Sequence, residues 1–199
     1  MKKTFIAWLK SNDIKMDKNK KDNFELIVTK LIVKHCNENN LTIDEFNKNN
    51  DFGYLKIQLL LFFVTQASIH RKLNGFPNDG DLIDIFDIWI NYPYGILEKD
   101  IMKNIKSLSF KSFQIYKDRT IIDENVIHQF NYTMDESINR LFSLNEELTS
   151  YPLIELVDIS DNYNIREKYK RIGNCSDVRN LDFFMETNRV FKGNTMELF

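Results

Sequence analysis

Residues Tyr54 to Met102, YLKIQLLLFFVTQASIHRKLNGFPNDGDLIDIFDIWINYPYGILEKDIM, decide the fold, because an almost unbroken apolar segment is followed there by a Gly/Asn/Asp turn and an aromatic cluster. Between Leu55 and Ile69 the apolar side chains cover every azimuth of a 3.6-residue helix, which leaves no face for water. Such a helix is expected at the centre of the molecule. A membrane span needs about 20 predominantly apolar residues, and Lys56, Gln58, Gln66, Ser68 and His70 interrupt the run.

Working outward, the chain of 199 residues suits one domain over 1–199, with a basic N-terminal segment at 1–22. Hydrophobic residues make up 43% and include sixteen Phe, enough for a substantial core and too much for a disordered chain. Six Gly and three Pro leave few sharp turns, which favours helices. The expected fold is therefore mainly α, a single compact helical domain with room for one small β-hairpin. A net charge of −2 lacks the basic excess of a dedicated nucleic-acid binder. Two cysteines, Cys36 and Cys175, without a secretory signal, suggest free thiols in the cytoplasm.

Upstream of the central helix, Met1 to Asp22 carry seven lysines around Phe5, Ile6, Trp8 and Leu9, read as a short docking helix and solvated charge. Phe24, Ile27, Val28, Leu31, Ile32, His35 and Cys36 then form one buried helical stripe, which makes the His35–Cys36 pair core filling rather than a metal site. Thr42 and Glu45 form a capping box. Downstream, NGFPNDG reads as a loop, and Leu82, Ile85, Phe86 and Trp89 as one helix face, with Asp81, Asp84 and Asp87 on its solvated side. Tyr92, Pro93, Tyr94 and Gly95 break that helix, and another is expected to begin near Leu97. LSFKSFQIYK, from Leu108 to Lys117, is the best strand candidate. Thr133 with Glu136 reads as a second capping box ahead of Ile138 and Leu141, and a further helix starts after Pro152 with Leu153, Leu156 and Val157 inward.

Two of these patterns, in this order, resemble the Panacea domain, the SocA-like antitoxin family of bacteria and their phages. The central helix followed by PYGILEKDI is similar to that family's helix and its "YGPvExdiY" turn, with Tyr94, Gly95, Leu97, Glu98, Asp100 and Ile101 matching. The segment from Met134 to Tyr163 is similar to one ending "ELVdlSHkw", with Glu155, Leu156, Val157, Asp158 and Ser160 in register. The resemblance spans roughly 50–170. Ile96, Met102, Asp161 and Tyr163 depart from the pattern; the missing proline at Ile96 is expected to soften the turn.

The resemblance implies a non-enzymatic helical domain, without cofactor or metal, that neutralises a toxin or defence protein by direct binding. Its partner-binding residues are expected to be Tyr92, Tyr94, Gly95, Glu98 and Asp100, partly exposed on a turn between two apolar helices. Two other classes stay open at this point. An enzyme would draw its acid–base groups from Glu98, Asp100, His70 and His128, and a regulator of a toxin–antitoxin operon would bind DNA through the lysine-rich N-terminus.

Overall fold

Helix α1, Lys18–Glu38, starts where the Asp17 carboxylate accepts from Asn19 N–H, and ends at Asn40, whose φ of 53° is the left-handed conformation asparagine tolerates after a helix. The structure, a computed structural model, describes residues 16–73, 82–125, 131–163, 166–169, 177–179, 182, 191–192 and 195–196, with side chains at 70–73, 191–192 and 195–196 excluded. The stripe from Phe24 through Cys36 is buried except at His35, which is half-buried. The Thr42–Glu45 capping box opens α2, Ile43–Lys48, with both reciprocal bonds formed.

The central helix, α3, Tyr54–Leu73, packs against elements on all sides, and Ile57 through Ile69 are buried without exception. Several of its polar residues are bonded inside: Thr65 donates to the Leu61 carbonyl, Gln58 Oε1 accepts from a neighbouring strand, and Ser68 Oγ accepts from Leu82 N–H. Among the described residues, no helix is long and apolar enough to cross a membrane.

Helix α4, Leu82–Ile85, is a single turn, and the expected helix face continuing to Trp89 is not formed. Trp89–Tyr92 is instead strand β1, paired antiparallel with β2, Gly95–Glu98, in the register Trp89↔Glu98 to Tyr92↔Gly95. The segment read as a broken helix is a hairpin. Both strands are buried on their two faces, so they lack the alternation by which a half-exposed strand is recognised. Helix α5, Lys99–Asn104, follows two residues later than expected, with Glu98 as its N-cap.

LSFKSFQIYK does yield a strand, β3, Phe113–Ile115, paired with β4, Thr120–Ile122. The outer edge of β4 is closed by side chains: Asn47 and Asn50 each accept from and donate to one residue, Ile122 and Thr120 respectively, at 2.9–3.0 Å. Helix α6, Tyr132–Leu144, is capped by Asn131 rather than by the expected Thr133, which lies buried inside it. Helix α7, Leu153–Asp161, follows Pro152 and turns Leu156 and Val157 inward, with Leu153 half-buried. Strand β5, Asp177–Val178, adds to β1, giving the order β2-β1-β5, and β6, Phe191–Lys192, pairs with β7, Thr195–Met196. Helices dominate, with more sheet than the one hairpin expected. The basic residues 1–15 and the loop 74–81 lie outside the described residues, as do Cys175, His128 and the His70 side chain.

Candidate functional site

The β1–β2 hairpin has a tip and a base, and both carry the residues singled out from sequence. At the tip Tyr94 is 52% exposed, and its ring lies 5.9 Å from that of half-buried Tyr92, tilted by 54°. Gly95 beside it has φ of 137°, and a Cβ there would come within 2.3 Å of Leu59 Cδ2 on α3. The positive φ favours glycine, and an added Cβ would also force the Leu59 side chain to shift.

The turn is held from behind by Arg166, which is 1% exposed. Its Nη2 donates to the Pro93 carbonyl at 2.9 Å, its Nη1 to the Tyr92 carbonyl and to Asn91 Oδ1, and its Nε to Asp161 at 2.8 Å. A guanidinium presents five donors in a fixed plane, so bonds to successive carbonyls fix the turn's orientation as well as its position. Ile96, where the family pattern has proline, lies in a strand rather than in the turn itself. It sits wholly buried within β2 opposite Asn91, and Asp161, a departure from the family pattern, is the residue that orients the arginine.

At the base, the expectation that Glu98 and Asp100 stay partly exposed between two helices is overturned. Glu98 has no exposed surface, and Asp100 is buried. Lys20 Nζ reaches Glu98 Oε1 at 2.8 Å, Asp87 Oδ1 at 2.8 Å and Asp100 Oδ2 at 3.0 Å. Glu98 Oε2 caps α5 through Ile101 N–H at 2.7 Å, and Glu98 N–H donates to Gln58 Oε1 at 3.1 Å. Burial pushes the Glu98 carboxyl up to about 7, against the pull of Lys20 and the Ile101 amide. Burial acts to lower the Lys20 ammonium, but Glu98, Asp87 and Asp100 outweigh it and hold it well above the usual lysine range. An open cleft of about 270 Å³ adjoins this cluster, lined by Asp17, Asn19, Lys20, Asp84, Asp87 and Asp100 among others. Asp87 is solvent-exposed, as expected, but it is also an ion-pair partner of Lys20, and it lies beyond the end of α4 rather than on a helix face.

Sequence reading missed Lys20, Gln58 and Arg166. For Lys20 a signal existed: it lies four residues before Phe24 and seven before Ile27, on the stripe that α1 buries. Charge normally faces water, which hides it among the solvated lysines around it. Arg166 was hidden for a similar reason, since a charged side chain is normally expected to face water.

A second polar centre lies at the far end of α1. His35 Nδ1 is 3.0 Å from Thr149 Oγ1, its ring packs against Phe46 and Phe52, and burial, with the nearby Lys56 charge, lowers its pKa to about 4. Lys56 itself is buried, paired with Asp51 and 4.7 Å above the Phe52 ring, with its pKa lowered by desolvation. Cys36 is buried and its thiol pushed up by burial, which makes it an unreactive core residue. Among the described residues no group of three or more His, Cys, Asp or Glu side chains could hold a metal ion.

Compared with protein-family models, curated proteins and solved structures, the chain matches none.

Proposed function

We propose that the chain is a non-enzymatic protein-interaction domain of the antitoxin type that its Panacea-like motifs resemble. It neutralises a toxin or defence protein in the cytoplasm by direct binding, with the Tyr92–Gly95 turn as its anchor. The observation that carries this reading is the exposed Tyr94 ring on a turn whose carbonyls are gripped by a buried arginine. A tyrosine on a rigid backbone offers a large amphipathic contact while losing little conformational entropy, the property that makes such residues interface anchors.

Acid–base catalysis fits the same residues less well. Glu98 and Asp100 are both engaged by Lys20, and of the two only Asp100 lines the adjoining cleft, while Glu98 has no exposed surface. DNA binding is disfavoured by that cleft, whose aspartates would repel phosphate.

The test is affinity capture of the tagged chain and of its Tyr94→Ala variant from the organism that encodes it, read by mass spectrometry. One stoichiometric protein held by the parent and by a Lys48→Ala control, and lost by Tyr94→Ala, is the expected result. Capture unaffected by Tyr94→Ala would remove the turn from the interface.

A further inference from the structure

A second surface lies away from the hairpin tip, where the β3–β4 hairpin meets the end of α5. Tyr54, Ile105, Lys106, Ile115, Tyr116 and Lys117 line an open groove of about 360 Å³ there. The groove has an apolar floor from the two isoleucines, aromatic walls from the two tyrosines, and two exposed lysines; among the described residues no carboxylate lines it. Its surroundings are basic as well. Between residues 103 and 119 the chain carries Lys103, Lys106, Lys111, Lys117 and Arg119 against the single acid Asp118, a net of +4 in a protein whose total is −2.

The backbone adds a further feature. Asp123 N–H donates to the Ser112 carbonyl and Tyr116 N–H to the Arg119 carbonyl, so the residues of β3 that face away from β4 are Phe113 and Ile115. The matching outward positions of β4 are closed by Asn47 and Asn50. On β3, Phe113 is buried, but half-buried Ile115 lines the groove, and its outward N–H and C=O have no hydrogen-bond partner among the described residues. Tyr116, 42% exposed, stands next to it with the Arg119 guanidinium 5.9 Å from its ring.

We propose that this groove binds an extended, acidic segment of a partner protein. The segment lays one apolar side chain between Tyr54 and Tyr116, meets the Ile115 backbone edge, and places carboxylates against Lys106 and Lys117. Charge complementarity selects the acidic sequence, and the apolar floor with its single open backbone residue selects an extended chain over a helix. This site does not rest on the reading of the Tyr94 turn.

A random linear peptide library selected against the full chain tests it. The selected peptides are expected to place Asp or Glu on either side of an apolar residue. A Lys106→Glu, Lys117→Glu variant with the parent's melting curve should bind them on the order of tenfold more weakly, while Lys48→Glu should bind them as the parent does. Lys106→Gln with Lys117→Gln takes its place if charge reversal disturbs folding. Selection without acidic enrichment, or unchanged binding by the double variant, would overturn the proposal. So would an oligothymidine competitor that displaces the peptides and binds more tightly than they do, since the groove would then belong to nucleic acid.

Discussion

Lys20 and Glu98, 78 residues apart in sequence, meet at 2.8 Å in the interior, where the first turn of α1 is tied to the base of the β1–β2 hairpin. The lysine is the shared cation of three carboxylates, two of them buried. Removing it leaves Glu98 and Asp100 buried without their counter-charge. Breaking a buried ion pair from one side costs about 3–5 kcal/mol, so Lys20→Met should lower unfolding free energy in urea by at least the lower part of that range. A change of only about 0.5 kcal/mol, the size of an ordinary surface substitution, would show that the cluster contributes little.

The Glu98 carboxyl titrates in an unusual direction. Burial raises it from the ordinary 4.5 to about 7, so between those values the folded protein holds a proton that the unfolded chain has lost. The folded state binds more protons there, and the contribution of Glu98 to stability grows as pH falls from 7 toward 4.5. Asp182 runs the other way: burial opposes ionisation, but Lys168, Tyr169 and Arg179 hold its carboxyl at about 2, so its contribution is present above 3.8 and is lost as pH falls through 2. Glu98→Gln removes only the first effect. The stability of the parent minus that of Glu98→Gln should decline as pH rises from about 4.5 to 7, and a flat difference would contradict the assignment.

Much of the helical frame was legible in sequence, and most of the sheet was not. The all-round apolar run of α3 and the stripe of α1 have periodicities that only a buried helix satisfies, and the Thr42–Glu45 box marks its own N-terminus. The WINYPYGILE hairpin was hidden because its strands are four residues long and buried on both faces, so they read like a continuation of the apolar helix before them. The residues of the site were partly found: the turn and its glycine were recognised, but the burial of Glu98 was not, because it depends on a lysine far away in the chain. Contacts of that separation leave no local pattern.

Gly95 allows a direct test of the packing at the turn. Gly95→Ala forces a side chain into positive φ and against Leu59 Cδ2 at 2.3 Å. Backbone strain and overpacking together should cost about 3 kcal/mol, read as a lowered melting temperature. Parent-like melting would mean that Leu59 has room to move and that the close approach is not required.

The central helix makes a similar demand. Leu60 and Phe63 are fully buried, and truncating either to Ala removes transfer energy and leaves a cavity. Each should lose about 2–5 kcal/mol in denaturant titration. If both variants keep the parent's midpoint, α3 is not the core of the fold.

The anchoring role of Tyr94 is tested most directly by calorimetric titration of the captured partner into the parent, Tyr94→Ala and Lys48→Ala proteins. Lys20 is unsuitable as a surface control, because it is buried in the ion cluster. Tyr94 is half exposed and Arg166 holds its turn, so truncation should cost about 2 kcal/mol or more in binding, roughly a thirtyfold loss, while the melting temperature stays close to the parent's. Equal affinity for all three proteins would contradict the account and leave the turn as a structural joint between two strands.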